Sequence, residues 1–207
     1  MRRAGRGLLA ALGASLVLSS CSSGIEEPDF NFPDQQADVE VDSPRLRELK
    51  AELGVEDCQP GAEPGVNDLP AVTVPCFGGG PDVDLSSLPG PFVLNLWAGW
   101  CGPCRDEMPV LEEFHQAYGE QVPVIGMNVR DPNSISAFEV VRETGVTYPL
   151  VTDPDDRTRA QGPFPATPPV PSLYFVAEDG TVSVELGGVD TVEELVGLVD
   201  EQLGVQL

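Results

Sequence analysis

The sequence predicts an α/β fold with a mixed central sheet that is covered on both faces. Three long apolar segments have the composition of strands buried inside a sheet, namely 92–97, 122–129 and 172–177. Helical amphipathic patterns alternate with these strands or follow them, at 105–118, 134–143 and 191–203. Shorter strands are predicted at 148–151 and 181–186. Strands that alternate with helices and end in a hairpin and a last helix are typical of this architecture.

A pair of cysteines, in the motif Trp100-Cys101-Gly102-Pro103-Cys104, stands between the first apolar strand and the first amphipathic helix. Residues three apart on a helix have Cβ atoms about 5–6 Å apart, which suits a disulfide. The free N–H groups at a helix N-terminus favour an anion, so we expect a stabilised Cys101 thiolate with a lowered pKa. The motif therefore predicts a thiol–disulfide exchange site.

The charge of the chain excludes one class of partner. It has 34 acidic and 11 basic residues in 207, for a net charge of −23. Nucleic-acid binding requires basic patches to contact phosphates, and the sequence contains none. We expect the acidity to keep an exported protein soluble.

The first 20 residues have the pattern of an export signal. Three arginines precede an apolar stretch, Leu8 to Leu18, which is too short to span a bilayer. The following Leu18-Ser19-Ser20-Cys21 resembles the lipobox of bacterial lipoproteins, in which the cysteine is lipidated. The alternative is an ordinary secretory leader with a coincidental cysteine. We expect a lipoprotein whose acyl chains at Cys21 anchor it to the cell membrane.

The cysteine count agrees with export. Five cysteines would leave one unpaired, but lipidation of Cys21 leaves four, which divide into Cys101/Cys104 and Cys58/Cys76. Two disulfides indicate an oxidising compartment. We expect Cys58–Cys76 to be a structural disulfide in a segment rich in proline and glycine. The alternative is a second redox pair that passes electrons to the first.

Three regions follow from these patterns. Residues 1–20 form the signal peptide, 21–57 an acidic tether with a short helix, and 58–207 the folded domain. The helix is predicted to start at Ser43-Pro44 and to stop at Gly54. Its pattern leaves open whether it packs on the domain or interrupts the linker. A small β-hairpin is predicted where valines alternate, around Val72–Val74 and Val83–Leu85.

The segment from Trp97 to Cys104 resembles the active site of the thioredoxin superfamily, which carries W-C-G-P-C. Glu107-Met108-Pro109, the N-terminal hairpin and an inserted helix–strand unit around 124–129 and 145–149 resemble its TlpA/ResA-like membrane-anchored branch. The resemblance covers residues 65 to 204. It implies a thioredoxin-like three-layer α/β fold with a mixed central sheet.

The resemblance also implies roles for individual residues. Cys101 matches the nucleophile, Cys104 the resolving thiol, and Trp100 borders the site. Pro171 matches a cis-proline that exposes the Val170 backbone to a substrate strand. The alternative is a trans proline within the proline-rich segment 163–171.

Two departures from the family bear on proton transfer and on the substrate. Thioredoxins have a buried Asp where this chain has Asn95, and an amide cannot titrate. Glu107 matches an acid that TlpA/ResA-like proteins place near their cysteines; the alternative is a glutamate favoured only by the helix dipole. The segment 163–169 is longer and richer in proline than usual, which predicts an altered substrate rim.

The sequence thus predicts an extracytoplasmic thiol–disulfide oxidoreductase, without cofactor or metal, that reduces disulfides of exported proteins, apocytochrome c among them. Its expected partners are those proteins and a membrane electron donor such as a transmembrane thiol–disulfide carrier. A disulfide-forming oxidase is the main alternative, because direction depends on reduction potential. A copper chaperone is a remote one, since such proteins use C-x-x-x-C and a distant histidine, whereas His115 is the only histidine here. A thiol peroxidase is disfavoured because neither cysteine of the W-C-G-P-C motif has a threonine three residues before it.

Overall fold

The computed structural model describes residues 39–207. The predicted signal peptide, Cys21 and most of the acidic tether lie outside the described residues. The helices are α1 Pro44–Leu53, α2 Gly102–Tyr118, α3 Ser134–Thr144 and α4 Val192–Leu203. The strands are β1 Thr73–Val74, β2 Val83–Asp84, β3 Phe92–Trp97, β4 Val124–Val129, β5 Leu150–Asp153, β6 Ser172–Val176 and β7 Val182–Leu186. Within 39–207 no helix is long and apolar enough to cross a membrane.

The central sheet has five strands in the order β5-β4-β3-β6-β7. Strands β3, β4 and β5 are parallel to one another, β6 pairs antiparallel with β3, and β7 pairs antiparallel with β6. The predicted mixed sheet and thioredoxin-like fold are confirmed. Because β3 lies in the middle, its six residues are all buried, as its nearly continuous apolar run predicts.

The two faces of the sheet are covered by different material. Alternate residues of β3 point to opposite faces, so Val93 and Trp97 join one apolar cluster and Leu94 and Leu96 the other. The first cluster contains apolar residues of all four helices. The second contains the β1–β2 hairpin and Phe164 of the proline-rich segment. Helices, sheet, and a layer of hairpin and loops therefore form the three layers.

The short helix α1 packs on the domain, which resolves the alternative that the sequence left open. The Ser43 hydroxyl accepts the Leu46 N–H at 3.3 Å at the start of the helix, and Gly54 ends it with φ 72°. Leu46 and Leu49 are each only 1% exposed and belong to the helix-side cluster. The helix lies against α3, and this covers one side of that cluster.

The N-terminal hairpin is attached to the sheet at Cys76. Strands β1 and β2 pair antiparallel over two residues each, and Cys76 forms a further bridge to Val151 in β5. Cys58 and Cys76 form a disulfide with an S–S distance of 2.00 Å. This bond joins the segment after α1 to the hairpin and the sheet edge.

We predict that replacing both Cys58 and Cys76 with Ala lowers the free energy of unfolding by about 3 kcal/mol, because the bond closes a loop between residues 18 apart. Urea denaturation of the oxidised proteins measures the loss. The control is Cys101→Ala with Cys104→Ala, whose bond spans only three residues and removes less loop entropy. Equal losses in the two double variants would contradict stabilisation through loop closure.

Candidate active site

The two motif cysteines lie where β3 passes into α2. Cys101 caps α2, and its Sγ accepts the Cys104 N–H at 3.2 Å. Gly102 and Pro103 form the first helical turn, where the missing N–H of proline has no cost. The cysteines form a disulfide with Cα atoms 5.4 Å apart. Cys104 is fully buried, whereas Cys101 retains 4% exposure, so Cys101 is the sulfur that solvent can reach.

The turn before Cys101 is held by the loop that follows β4. Asp131 Oδ2 accepts the Gly99 N–H at 2.6 Å and an Asn128 Nδ2–H at 3.2 Å. A Cβ at Gly99 would lie 2.8 Å from that carboxylate oxygen, so the turn needs glycine. The exposed Trp100 ring donates its indole N–H to the Arg130 carbonyl at 3.2 Å. The turn and the loop therefore fix each other.

The sequence reasoning missed these contributions of Asp131 and Arg130. No sequence motif marks Asp131 as part of the site. The position of Asp131 just after β4, a parallel strand next to β3, could have indicated its role. The carboxyl ends of neighbouring parallel strands meet at one edge of a sheet, which is where Cys101 lies.

Val170 and Pro171 lie at this same edge of the sheet. Ser172 pairs opposite Leu96 in the antiparallel β3–β6 ladder, which places Pro171 beside the end of β3. The Val170–Pro171 peptide bond is cis, as expected for this position. A Cβ added to Gly188 would lie 3.3 Å from Pro171 Cγ and 3.5 Å from Glu107 Oε1. Pro171 and Glu107 therefore both lie next to Gly188.

Glu107 and Asn95 form a buried pair close to Cys104. Glu107 is three residues beyond Cys104 on α2, so the two side chains lie on the same helix face. It is 2% exposed, and its Oε2 accepts a hydrogen bond from Asn95 Nδ2 at 2.8 Å. Asn95 is in β3, on the face that Val93 and Trp97 share. Asn95, which stands where thioredoxins have an aspartate, and Glu107 are thus joined by one hydrogen bond.

Burial makes Glu107 an unusually weak acid. The loss of solvent raises its pKa to about 8, although the hydrogen bonds from Asn95 and from the Val189 backbone oppose the shift. Burial also raises the pKa of Tyr148, and the nearby carboxyls of Glu107 and Glu112 raise it further. A carboxyl of pKa near 8 is close to an ordinary thiol at about 8.5, so proton transfer between them is almost balanced.

The proline-rich segment forms the rim beside Trp100. The Arg130 guanidinium donates to the Pro168 carbonyl at 2.6 Å. Phe164 is buried against Tyr174, with ring centroids 4.7 Å apart. Upstream, the Asp153 carboxylate accepts three hydrogen bonds, from the Arg157 N–H and from the N–H and hydroxyl of Thr158. These contacts hold the long segment against the sheet.

No cluster of three or more metal-ligating side chains occurs in residues 39–207. His115 contacts Glu56 at 3.1 Å, at the opposite end of α2 from the cysteines.

A family model described as the AhpC/TSA family matches residues 67–184. The chain belongs to the AhpC/TSA family. The matched region runs from before the hairpin to β7 and contains both motif cysteines, Asn95, Glu107 and Pro171.

Known proteins similar to this member of the family are thiol–disulfide oxidoreductases. The ResA thiol-disulfide oxidoreductase of Bacillus thuringiensis is 31% identical over 123 residues, which are 57% of this chain and 67% of that one. The matches to ResA proteins span between 57% and 69% of the relatives' own length. The predicted resemblance to the ResA-like branch of the thioredoxin superfamily is confirmed.

Solved structures have the same fold. The dsbF protein of Mycobacterium tuberculosis is 27% identical with a TM-score of 0.57, over 66% of this chain and 98% of that chain. A secreted thiol-disulfide isomerase from Corynebacterium glutamicum is 27% identical with a TM-score of 0.53, over 62% of this chain and 81% of that one. The fold is therefore that of a thioredoxin-like redox enzyme.

We predict that Glu107 makes the stability of the protein fall as pH rises. Between about pH 4.5 and pH 8 the folded state keeps a proton on Glu107 that the unfolded chain releases, so raising the pH favours unfolding by up to about 1.4 kcal/mol per unit. The free energy of unfolding of the wild type minus that of Glu107→Gln should decrease across this range. Urea denaturation at pH 5, 6, 7 and 8 measures it.

The control is Glu113→Gln, which removes an exposed carboxylate from the same helix and should leave the pH dependence of the wild type intact. An identical pH dependence in the wild type and in Glu107→Gln would mean that Glu107 titrates normally.

Proposed function

We propose that this protein is an extracytoplasmic thiol–disulfide oxidoreductase that reduces disulfides of exported proteins through Cys101 and Cys104. The observation that carries the proposal is the position of the pair at the N-terminus of α2, with one sulfur reachable and the other buried. The helix N-terminus stabilises the thiolate that Cys101 needs to act as a nucleophile. The ResA relatives support the same class of reaction.

In the proposed cycle, the Cys101 thiolate attacks one sulfur of a substrate disulfide. A mixed disulfide forms, and the other substrate sulfur leaves with the electron pair. Cys104 then attacks Cys101 Sγ, which releases the substrate as a dithiol and leaves the Cys101–Cys104 disulfide. A membrane electron donor, such as a transmembrane thiol–disulfide carrier, returns two electrons to the pair.

Glu107 is the group that we propose exchanges a proton with Cys104. Cys104 is fully buried and must lose its proton before it attacks. Glu107 lies on the same face one turn away, and its raised pKa matches that of a thiol. Asn95 holds the Glu107 carboxyl by the 2.8 Å hydrogen bond. Asn95 therefore acts as a positioning residue for the acid, where thioredoxins have an aspartate.

Substrate binding is proposed at the rim that Trp100, Val170 and Pro171 form. Trp100 is 58% exposed, a large apolar surface directly beside Cys101. The Val170 backbone lies at the edge of the sheet next to the end of β3 and is proposed to pair with an extended substrate segment. Both features suit a polypeptide substrate.

Reduction is the direction we propose. The two cysteines enclose Gly102-Pro103, the same dipeptide that thioredoxin has, and thioredoxin is a reductant with a potential of about −270 mV. An apocytochrome c belongs to the proposed substrate class, because its C-x-x-C-H cysteines must be thiols to bond haem. The cycle above would reduce a disulfide in an apocytochrome c or in another exported protein.

The protein is proposed to work outside the cytoplasm as a membrane lipoprotein. Residues 1–20 are proposed to be its signal peptide, and Cys21 the lipidated residue. Two pairs of cysteines in disulfides suit an oxidising compartment. The similar isomerase of Corynebacterium glutamicum, described as secreted, supports export.

We predict that Cys104→Ala traps mixed disulfides between Cys101 and substrate proteins, because attack still occurs but no thiol resolves the adduct. Affinity purification and non-reducing gels of cells that express the variant detect the adducts. The matched control is Cys101→Ala with Cys104→Ala, which should trap none. A lack of Cys101-dependent adducts, while the wild type still reduces a protein disulfide, would refute these roles.

The purified wild-type protein tests the direction of the reaction. A reduction potential of the Cys101–Cys104 pair near that of thioredoxin, about −270 mV, supports the reductase. A potential near that of the oxidant DsbA, about −120 mV, would instead identify a disulfide-forming oxidase.

For the lipid anchor, we predict that Cys21→Ala moves the protein from the membrane fraction to the soluble extracytoplasmic fraction. The acyl chains on this residue would otherwise contribute about 0.8 kcal/mol for each methylene buried in the bilayer. The control Ser22→Ala changes the adjacent residue and should remain in the membrane fraction. A wild-type protein that is soluble and unacylated would refute the anchor and favour an ordinary secretory leader.

A further inference from the structure

Lys50 is the only lysine of the chain, and its side chain is buried. It belongs to α1, where the residue as a whole is 5% exposed. Lysine is seldom buried unless its charge is paired, because desolvation of an ammonium group costs several kcal/mol. The groups within hydrogen-bonding distance of its Nζ therefore show which partners stabilise the buried ammonium.

Three groups surround the Lys50 ammonium. Its Nζ lies 3.0 Å from Asp57 Oδ1, 2.9 Å from the Gly79 carbonyl oxygen and 3.4 Å from Cys76 Sγ. The third contact is unusual, because a disulfide sulfur is only a weak acceptor. A thiolate at the same place would be a full anion beside the cation. The ammonium therefore suits the reduced form of Cys76 better than the oxidised form.

The other sulfur of this disulfide has the opposite surroundings. Cys58 Sγ lies 3.2 Å from the Leu150 carbonyl oxygen. That oxygen accepts a hydrogen bond from a neutral thiol but repels a thiolate. The protein therefore distinguishes the two sulfurs, with Cys76 placed to carry negative charge and Cys58 placed to be a thiol.

Cys58 also lines a cavity of about 430 Å³. The cavity is mainly apolar, and its walls include Phe92, Pro123 and Pro149. Lys50 lines a different hollow with Gly78, Gly79 and Gly80, and the charged side chains there are Arg47, Glu56 and Asp57. An added Cβ at Gly80 would lie 3.1 Å from Cys76 Sγ and 3.6 Å from Lys50 Nζ, so a side chain at this position would crowd both the sulfur and the ammonium.

We propose that Cys58–Cys76 is a second thiol–disulfide exchange site, with Cys58 as the sulfur that is attacked and Cys76 as the leaving group. A thiolate of a donor with two thiols approaches through the apolar cavity and bonds to Cys58 Sγ. The Cys58–Cys76 bond breaks, and its electron pair remains on Cys76 as a thiolate next to Lys50. The second donor thiol then displaces Cys58, so the donor leaves as a disulfide and the protein gains two electrons.

This second site acts separately from Cys101 and Cys104. Its cavity is lined by Phe92, the first residue of β3, and by Pro123, just before β4. The motif cysteines follow the last residue of β3, at the other end of the same strand. The donor is therefore an external dithiol, and the apolar walls favour one carried on an apolar polypeptide segment. The bond still stabilises the fold while it is oxidised, and reduction releases that constraint.

The test measures the redox equilibrium of each disulfide separately in the full-length protein. The protein is equilibrated at pH 7.5 in dithiothreitol buffers of graded potential, alkylated, digested and analysed by mass spectrometry. Lys50→Met should lower the equilibrium constant for reduction of Cys58–Cys76 at least tenfold, which is about 30 mV for two electrons. The Cys101–Cys104 midpoint should not change.

Arg45→Met is the matched control, because it removes an exposed cation of α1 whose partner is Glu48. Asp57→Asn provides a second variant that keeps the fold, since this carboxylate is 78% exposed. It leaves the ammonium less neutralised and should make Cys58–Cys76 easier to reduce. The proposal is overturned if both Lys50→Met and Asp57→Asn keep the wild-type equilibrium constant within twofold. It is also overturned if Cys58–Cys76 stays oxidised at every potential at which circular dichroism shows a folded chain.

Discussion

The position of Cys101 depends on the burial of β3 on both of its faces. Side chains of β3 alternate between the two apolar clusters. A shift of its pairing register by one residue would therefore move Asn95 to the opposite face of the sheet. The strand therefore stops at a fixed point, and the chain turns into α2 with Cys101 at its cap. The Asp131 carboxylate, at the end of the neighbouring parallel strand, fixes the turn at Gly99.

Behind the Cys101–Cys104 disulfide the structure buries the polar side chains of Asn95, Trp97, Glu107 and Tyr148. They lie on the side of the sheet that also carries Cys104. The same lack of solvent raises the pKa of Glu107 into the range of a thiol.

The sequence was sufficient for the sheet and for the place of Cys101 and Cys104 between β3 and α2, because these leave local signals. Continuous apolar runs predicted β3, β4 and β6, and the helix caps Ser43, Asn133 and Thr191 follow ordinary preferences. The sequence marked Asn95 and Glu107 separately, but their hydrogen bond depends on the register of β3 against α2.

Other features of the structure depend on contacts between distant residues or on backbone hydrogen bonding, which a local sequence pattern does not predict. Residues 157–161 form a series of turns, because the Asp153 carboxylate accepts hydrogen bonds from the N–H groups of Arg157 and Thr158. Strand β5 runs from Leu150 to Asp153 and not from Tyr148, because Pro149 has no N–H to donate to a ladder. The contact between Lys50 and Cys76 joins residues 26 apart, and an amphipathic helix pattern gives no sign of it.

The position of the single lysine has a practical consequence for work with this protein. With its one ε-amino group enclosed by Asp57, Gly79 and Cys76, the folded chain offers amine-reactive labels no exposed lysine. Crosslinking or labelling of this lysine would report the folding state around α1 and not the binding of a partner. The abundant surface carboxylates are the suitable points of attachment, and they leave both disulfides untouched.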